Sequence, residues 1–166
     1  MNDRFPSLTR AYVGLGANLG DARATLEAAC ADLQQLPQTH WVGRSRFYRS
    51  APVDSQGPDY VNAAAAVDTG LAPMALLEAL LEIEQRHGRE RPYVNAPRTL
   101  DLDLLLYGDL QQATGDRLIL PHPRGHLRAF VLLPLLELTP EARWPGRGLL
   151  ADLVRNLPDQ DLSPLE

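Results

Sequence analysis

Asp101 and Asp103 stand two apart in the run LDLDLLLY at 100–107. If that run is a strand, the two side chains share a face and sit roughly 6.5–7 Å apart along it. Carboxylates so placed can converge on a pair of Mg²⁺ ions, hard cations that bind through one or two carboxylates plus phosphate oxygens. The plainer reading is a solvated strand face. Against it, Asp is depleted in strands and like charges on one face repel, so this leucine-rich strand calls for a compensating partner. Leu102, Leu104 and Leu106 are then predicted to face the core. Just upstream lie Arg86, Arg89, Arg91 and Arg98, opposed in that loop by Glu90 alone. A solvated surface loop would account for them equally well in isolation. Guanidinium groups bind phosphate bidentately, however, and all 16 basic residues of the chain are Arg. Placed against the aspartates, they read as a Mg-polyphosphate site over which arginines close from a mobile loop, excluding water.

His122 lies in the stiff turn LPHP at 120–123, with Arg128 and Phe130 shortly after it. A lone histidine is more often structural, and His40 and His87 are read that way. Tyr60 and Asn62, two apart in YVNAAAAVDT at 60–69, would present a ring and an amide on one strand face. Ordinary sheet packing explains most such pairs. Gly14, Gly16 and Gly20 miss the dinucleotide fingerprint by one place, and no repeated parallel βαβ units surround them, so a Rossmann reading is set aside.

The elements that must position these residues follow from periodicity. The segment 10–17 (RAYVGLGA) reads as a first strand. Asp21 is placed as the N-cap of a helix whose apolar face is Leu26, Ala29, Cys30, Leu33 and Leu36, closed by Pro37. Strands are predicted over 41–50 and 60–69, joined by a Pro/Gly/Asp-rich connection at 51–59. Pro73 opens a second helix with the stripe Leu76, Leu77, Leu80, Leu81 and Ile83, and Gly88 is its expected C-cap. The strand at 100–107 completes a β-α-β-β-α-β order. That order predicts an α+β, ferredoxin-like sandwich: four antiparallel strands with helices on one face. Loops and two further helices, near 129–138 and 149–157, are expected after it, with loose ends at 1–9 and 158–166.

Composition bounds the function. With 166 residues, the chain is expected to form a single domain with a real core. Sixteen basic against 21 acidic residues give a formal charge of −5, which argues against a general nucleic-acid binder. The absence of Lys excludes a Walker-type phosphate loop, a kinase strand lysine and a Schiff base. One cysteine, Cys30, allows neither an internal disulfide nor a cysteine metal cluster, as expected of a reducing compartment. No signal peptide is predicted from the first ten residues. The longest apolar run, 129–136, falls well short of the ~20 residues that span a bilayer. The expectation is a cytoplasmic monomer with no membrane or nucleic-acid partner.

The segments AYVGLGANLGD, SRFYRSAPV, PDYVNAA, APRTLDLDLLLYGD and LPHPRGHLRAFVLLPL, from residue 11 to about 138, resemble the 6-hydroxymethyl-7,8-dihydropterin pyrophosphokinase family in order and spacing. The resemblance implies a ferredoxin-like fold with added elements and transfer of diphosphate from ATP to the pterin hydroxymethyl oxygen, leaving AMP. It also implies roles. Asp101 and Asp103 match the ligands of two Mg²⁺ ions, and Arg89, Arg91 and Arg98 match arginines that contact the ATP phosphates. His122 and Arg128 match nucleotide-side residues, and Glu84 a residue that helps hold the substrates. Tyr60 and Phe130 match the rings that sandwich the pterin, Asn62 the side chain that reads its amide edge, and Ser50 and Val53 positions bordering the pocket. The alternative, a non-catalytic ligand-binding module on the same scaffold, has no use for a Mg-polyphosphate site.

Overall fold

The structure, a computed structural model, describes residues 7–18, 20–51, 58–87, 100–160 and 162–165. Its elements in chain order are β1 (Thr9–Ala17), α1 (Ala22–Leu33), β2 (Thr39–Arg44), β3 (Tyr48–Ser50), β4 (Tyr60–Thr69), α2 (Pro73–Arg86) and β5 (Asp101–Tyr107). There follow the hairpin β6 (Gln112–Thr114) and β7 (Leu118–Leu120), α3 (Ala129–Leu138), the hairpin β8 (Arg143–Trp144) and β9 (Gly148–Leu149), α4 (Leu150–Arg155) and β10 (Leu162–Pro164).

The main sheet runs β10-β3-β4-β1-β5, with β2 also paired to β4, and every pairing in it is antiparallel. The ferredoxin-like α+β order holds. Asp21 caps α1 as expected, its Oδ1 accepting the Ala24 N–H at 3.1 Å, and Pro73 occupies the first turn of α2. Leu26, Ala29, Cys30 and Leu33 of α1 and Leu76, Leu80 and Ile83 of α2 bury against one sheet face. Leu77 and Leu81 are only half-buried. Burial of Cys30 pushes its thiol up to about 11. Gly88 lies outside the described residues.

Four expectations need correction. The segment 41–50 is two strands rather than one. Ser45 interrupts it, its N–H donating to the Ala64 carbonyl at 2.8 Å while its Oγ accepts the Ala64 N–H at 3.0 Å. Secondly, helices cover both faces of the sheet. α3, backed by α4 and the buried Trp144, packs on the second face through Val131, Leu132 and Leu135 against Tyr12, Ala64, Ala66, Leu105 and Leu106. This two-sided burial explains the run of alanines in β4: Ala63, Ala64, Ala65 and Ala66 are each at most 2% exposed, and small side chains let helices approach from either side. Thirdly, Leu106 is buried on that second face and not beside Leu102 and Leu104. Tyr12 pairs with Leu106 but Val13 with Leu104, so Leu105 is an extra residue that reverses the alternation. Finally, the tail is not wholly loose: Leu162, Ser163 and Pro164 pair with Ser50, Arg49 and Tyr48 of β3. Among the described residues no helix is long and apolar enough to cross a membrane.

Candidate active site

A cavity of about 710 Å³ opens on the second sheet face, at the end where β1 finishes and β4 and β5 begin. The register sets its floor. Gly16 lies opposite Asn62 on one side and Asp101 on the other, and Gly14 lies opposite Asp103. With Tyr60 and Ser50, these residues form a continuous lining across four strands. The second face would be filled there as it is farther along, where Tyr12 and Leu105 pack, had β1 carried side chains at 14 and 16. Alternate glycines leave the space open. The roof is the start of α3, contributing Arg128, Ala129, Phe130 and Val131.

The polar groups are fixed by their neighbours. Asn62 is 4% exposed and donates from Nδ2 to the Ser50 Oγ at 2.8 Å. Its Oδ1 is thereby turned toward Gly16, where an added Cβ would stand 3.4 Å from it. Asp101 and Asp103 are half-buried on the cavity floor, as the strand spacing predicts. Between them the Leu102 N–H points out of the edge strand to Glu84, whose Oε2 accepts it at 2.7 Å. Glu84 is 2% exposed and does not line the cavity; it ties α2 to the strand that carries the aspartates. Arg128 lies over the Phe130 ring, with its Cζ 5.5 Å from the centroid.

His122 stands at the margin of this group. Its backbone N–H donates to the Leu105 carbonyl at 2.9 Å, and its Nδ1 accepts the Arg124 N–H at 3.1 Å. The neutral ring therefore carries its proton on Nε2. Burial lowers its pKa, with Arg128 and Arg124 acting in the same direction and Asp103 opposing them.

Of the residues singled out from the sequence, the structure brings Asp101, Asp103, Arg128, Tyr60, Asn62, Ser50 and Phe130 to one cavity, with His122 beside it. Arg89, Arg91, Arg98 and Val53 lie outside the described residues. Arg86 is turned elsewhere, within 3.5 Å of Glu82 and 4.0 Å of Asp32 on the helix side. His87 also faces the helix side, its Nε2 lying 2.7 Å from Asp32 of α1. Sequence reasoning missed Gly14, Gly16 and Gln160 as lining residues. The glycines carried a signal, since glycine inside a strand marks close approach of a ligand or backbone; Gln160 carried none.

Two neighbouring carboxylates suit a hard divalent cation whose remaining ligands come from phosphate and water. The donor set fits Mg²⁺ in that sense. No group of three or more His, Cys, Asp or Glu arranged to hold a metal occurs among the described residues, so these two would be shared with a ligand and do not make a closed protein cage.

Fold and cavity together define a class: a ferredoxin-like α+β protein with two aspartates on the floor, and an arginine and a phenylalanine on the roof, of one cavity. The family model described as 7,8-dihydro-6-hydroxymethylpterin-pyrophosphokinase matches residues 12–140. Similar chains include the 2-amino-4-hydroxy-6-hydroxymethyldihydropteridine pyrophosphokinases of Haemophilus influenzae, 41% identical over 93% of this chain and 97% of that one, and of Pseudomonas aeruginosa, 42% identical over 95% and 98%. The protein belongs to this pyrophosphokinase family and is a transferase. Among solved structures, wild-type Plasmodium falciparum HPPK-DHPS with pteroate has a TM-score of 0.73 at 12% identity. It matches 93% of this chain, which spans only 43% of that longer chain, and the likeness shows the shared fold. Family membership displaces the reading as a non-catalytic binding module.

Proposed function

We propose that the protein transfers diphosphate from ATP to the hydroxymethyl oxygen of 6-hydroxymethyl-7,8-dihydropterin, in folate biosynthesis. The hydroxyl oxygen bonds to the β-phosphorus of ATP, the bond to the α–β bridging oxygen breaks, AMP leaves with the electron pair, and the hydroxyl proton passes to water. The observation that carries this reading is the meeting of an aspartate pair with two rings and a pinned amide in one cavity.

A flat heteroaromatic suits Tyr60 on the sheet and Phe130 on the covering helix, which offer faces for stacking. Ser50 holds Asn62 so that Oδ1 accepts from the amide N–H groups on the pterin rim. On the nucleotide side, Asp101 and Asp103 would hold the two Mg²⁺ ions of this reading, and Arg128 and the Nε2–H of His122 would reach the phosphates. When bound, Mg²⁺ would supply Lewis-acid neutralisation of phosphate charge there. Arg89, Arg91 and Arg98 supply further fixed positive charge, and Glu84 supports the site through the Leu102 backbone. Catalysis then rests on positioning and electrostatics, without a strong side-chain base. The protein works as a cytoplasmic monomer, with ATP and the reduced pterin as its small-molecule partners.

The test is product analysis with ATP, Mg²⁺ and the reduced pterin. AMP and the pterin diphosphate are expected in equal amounts. ADP in place of AMP, or no turnover, overturns the reading.

A further inference from the structure

We propose that Gln160, in the C-terminal tail, is a positioning residue that sets Arg128 and Phe130 over the substrate. Gln160 grips the peptides on either side of Arg128: its Nε2 donates to the Leu127 carbonyl at 3.1 Å, and its Oε1 accepts the Ala129 N–H at 2.8 Å. Arg128, the N-cap residue of α3, makes no side-chain capping hydrogen bond, and a residue more than thirty positions away accepts the first helical N–H instead. Arg128 is extended, with φ −124 and ψ 122, and both of its flanking peptides are held by one amide. Rotation of that peptide pair would swing the guanidinium and tilt the Phe130 ring beneath it.

The grip has an anchor. Leu162 pairs with Ser50, and the Leu165 N–H donates to the Phe47 carbonyl at 2.9 Å, so the tail is fastened to the strand that carries Ser50. Gln160 and Leu162 both line the cavity. The tail therefore joins the element that pins Asn62 to the element that carries Phe130, and holds floor and roof at a fixed separation. This role rests on the pyrophosphokinase reading of the same cavity.

Gln160 is exposed, and Gln160→Ala should fold with a native circular dichroism spectrum. Titration calorimetry with the reduced pterin should show Kd raised roughly 3- to 10-fold, the scale of losing one or two hydrogen bonds that hold a binding group. The Ala129 amide, left without its acceptor, should exchange with solvent faster. Gln160→Glu keeps the acceptor for Ala129 but cannot donate to Leu127, and should fall between Ala and the unaltered protein. A purely structural role would lower Tm and the fraction of binding-competent protein while leaving Kd unchanged. That result, or a Gln160→Ala protein that binds the pterin within twofold of normal, overturns the positioning role while the functional reading stands. An unaltered protein that neither binds the pterin nor forms AMP overturns both.

Discussion

Asp101 and Asp103 share one face of β5 on the cavity floor, where a divalent cation is proposed to bind. Replacing either by Ala is expected to abolish AMP formation while leaving circular dichroism native and Tm unchanged or slightly raised. Near-normal turnover in either variant would remove the metal assignment. Gly16 contributes by what it lacks. Its φ is not in the left-handed region, so Gly16→Ala should fold, but the added Cβ would sit 3.4 Å from Asn62 Oδ1, where the pterin rim is proposed to lie. Crowding of that kind costs about 1–3 kcal/mol, to be read as weaker pterin binding in titration calorimetry with ATP affinity unchanged. The two residues differ in how well sequence reveals them. A D-x-D on a leucine-rich strand is anomalous where it stands, so it is visible without any neighbour. The space over Gly16 becomes a cavity only once β4 and β5 lie on either side of β1 and the start of α3 roofs it, and one strand's letters do not say that.

At the level of elements, the helices, the central strands and their order were legible because each has a period and an end signal: Asp21 before α1, Pro73 at the start of α2. What escaped were the places where a local irregularity overrides a period. Leu105 inserts a residue into β5 and changes the face of everything after it, while Ser45 exchanges hydrogen bonds with Ala64 and splits what reads as one strand. The covering of the second face was also hidden, since an apolar run such as 129–136 shows that α3 is buried but not against what. One glycine controls that covering. Gly125 passes beneath Trp144 so closely that a Cβ would stand 2.7 Å from its ring. Gly125→Ala should therefore push the turn and the start of α3 outward and destabilise the protein by about 1–3 kcal/mol. Urea unfolding gives the stability loss. If the covering fixes the roof of the cavity, pterin binding weakens in the same variant; a stable Gly125→Ala protein would mean that Trp144 yields easily.

Across the whole molecule, contacts within the sheet, between it and its second-face covering, and within that covering involve groups that should all favour the folded state less as the pH falls. Asp68 on β4 is held below its ordinary 3.8 first by its hydrogen bond with Arg10 on β1, which it meets at 2.5 Å, and then by that residue's charge. Glu137 on α3 is pushed up by burial, but hydrogen bonds from Tyr48 and from Arg46 outweigh this and leave it below 4.5. A carboxylate with a depressed folded pKa contributes stability that is complete above its unfolded value and is lost as the pH falls through the folded one. His126 adds a milder window. Burial lowers it below 6.5, helped by Arg147 and His122, and its Nδ1, beside the Trp144 ring, has no hydrogen-bond partner among the described residues. The folded state keeps the ring neutral, so the unfolded chain takes up the proton first and stability falls once the pH drops below about 6.5. Melting temperature should then decline in two stages, a shallow one from pH 6.5 downward and a steeper one below about 4.5. His126→Phe should flatten the first stage and leave the second, with His122 keeping a remnant of it. Asp68→Asn should lower stability at neutral pH and flatten the second stage only. Melts of the three proteins from pH 8 to pH 2.5 separate these effects, and a first stage of full height in His126→Phe would show that proton uptake in that range belongs to another group.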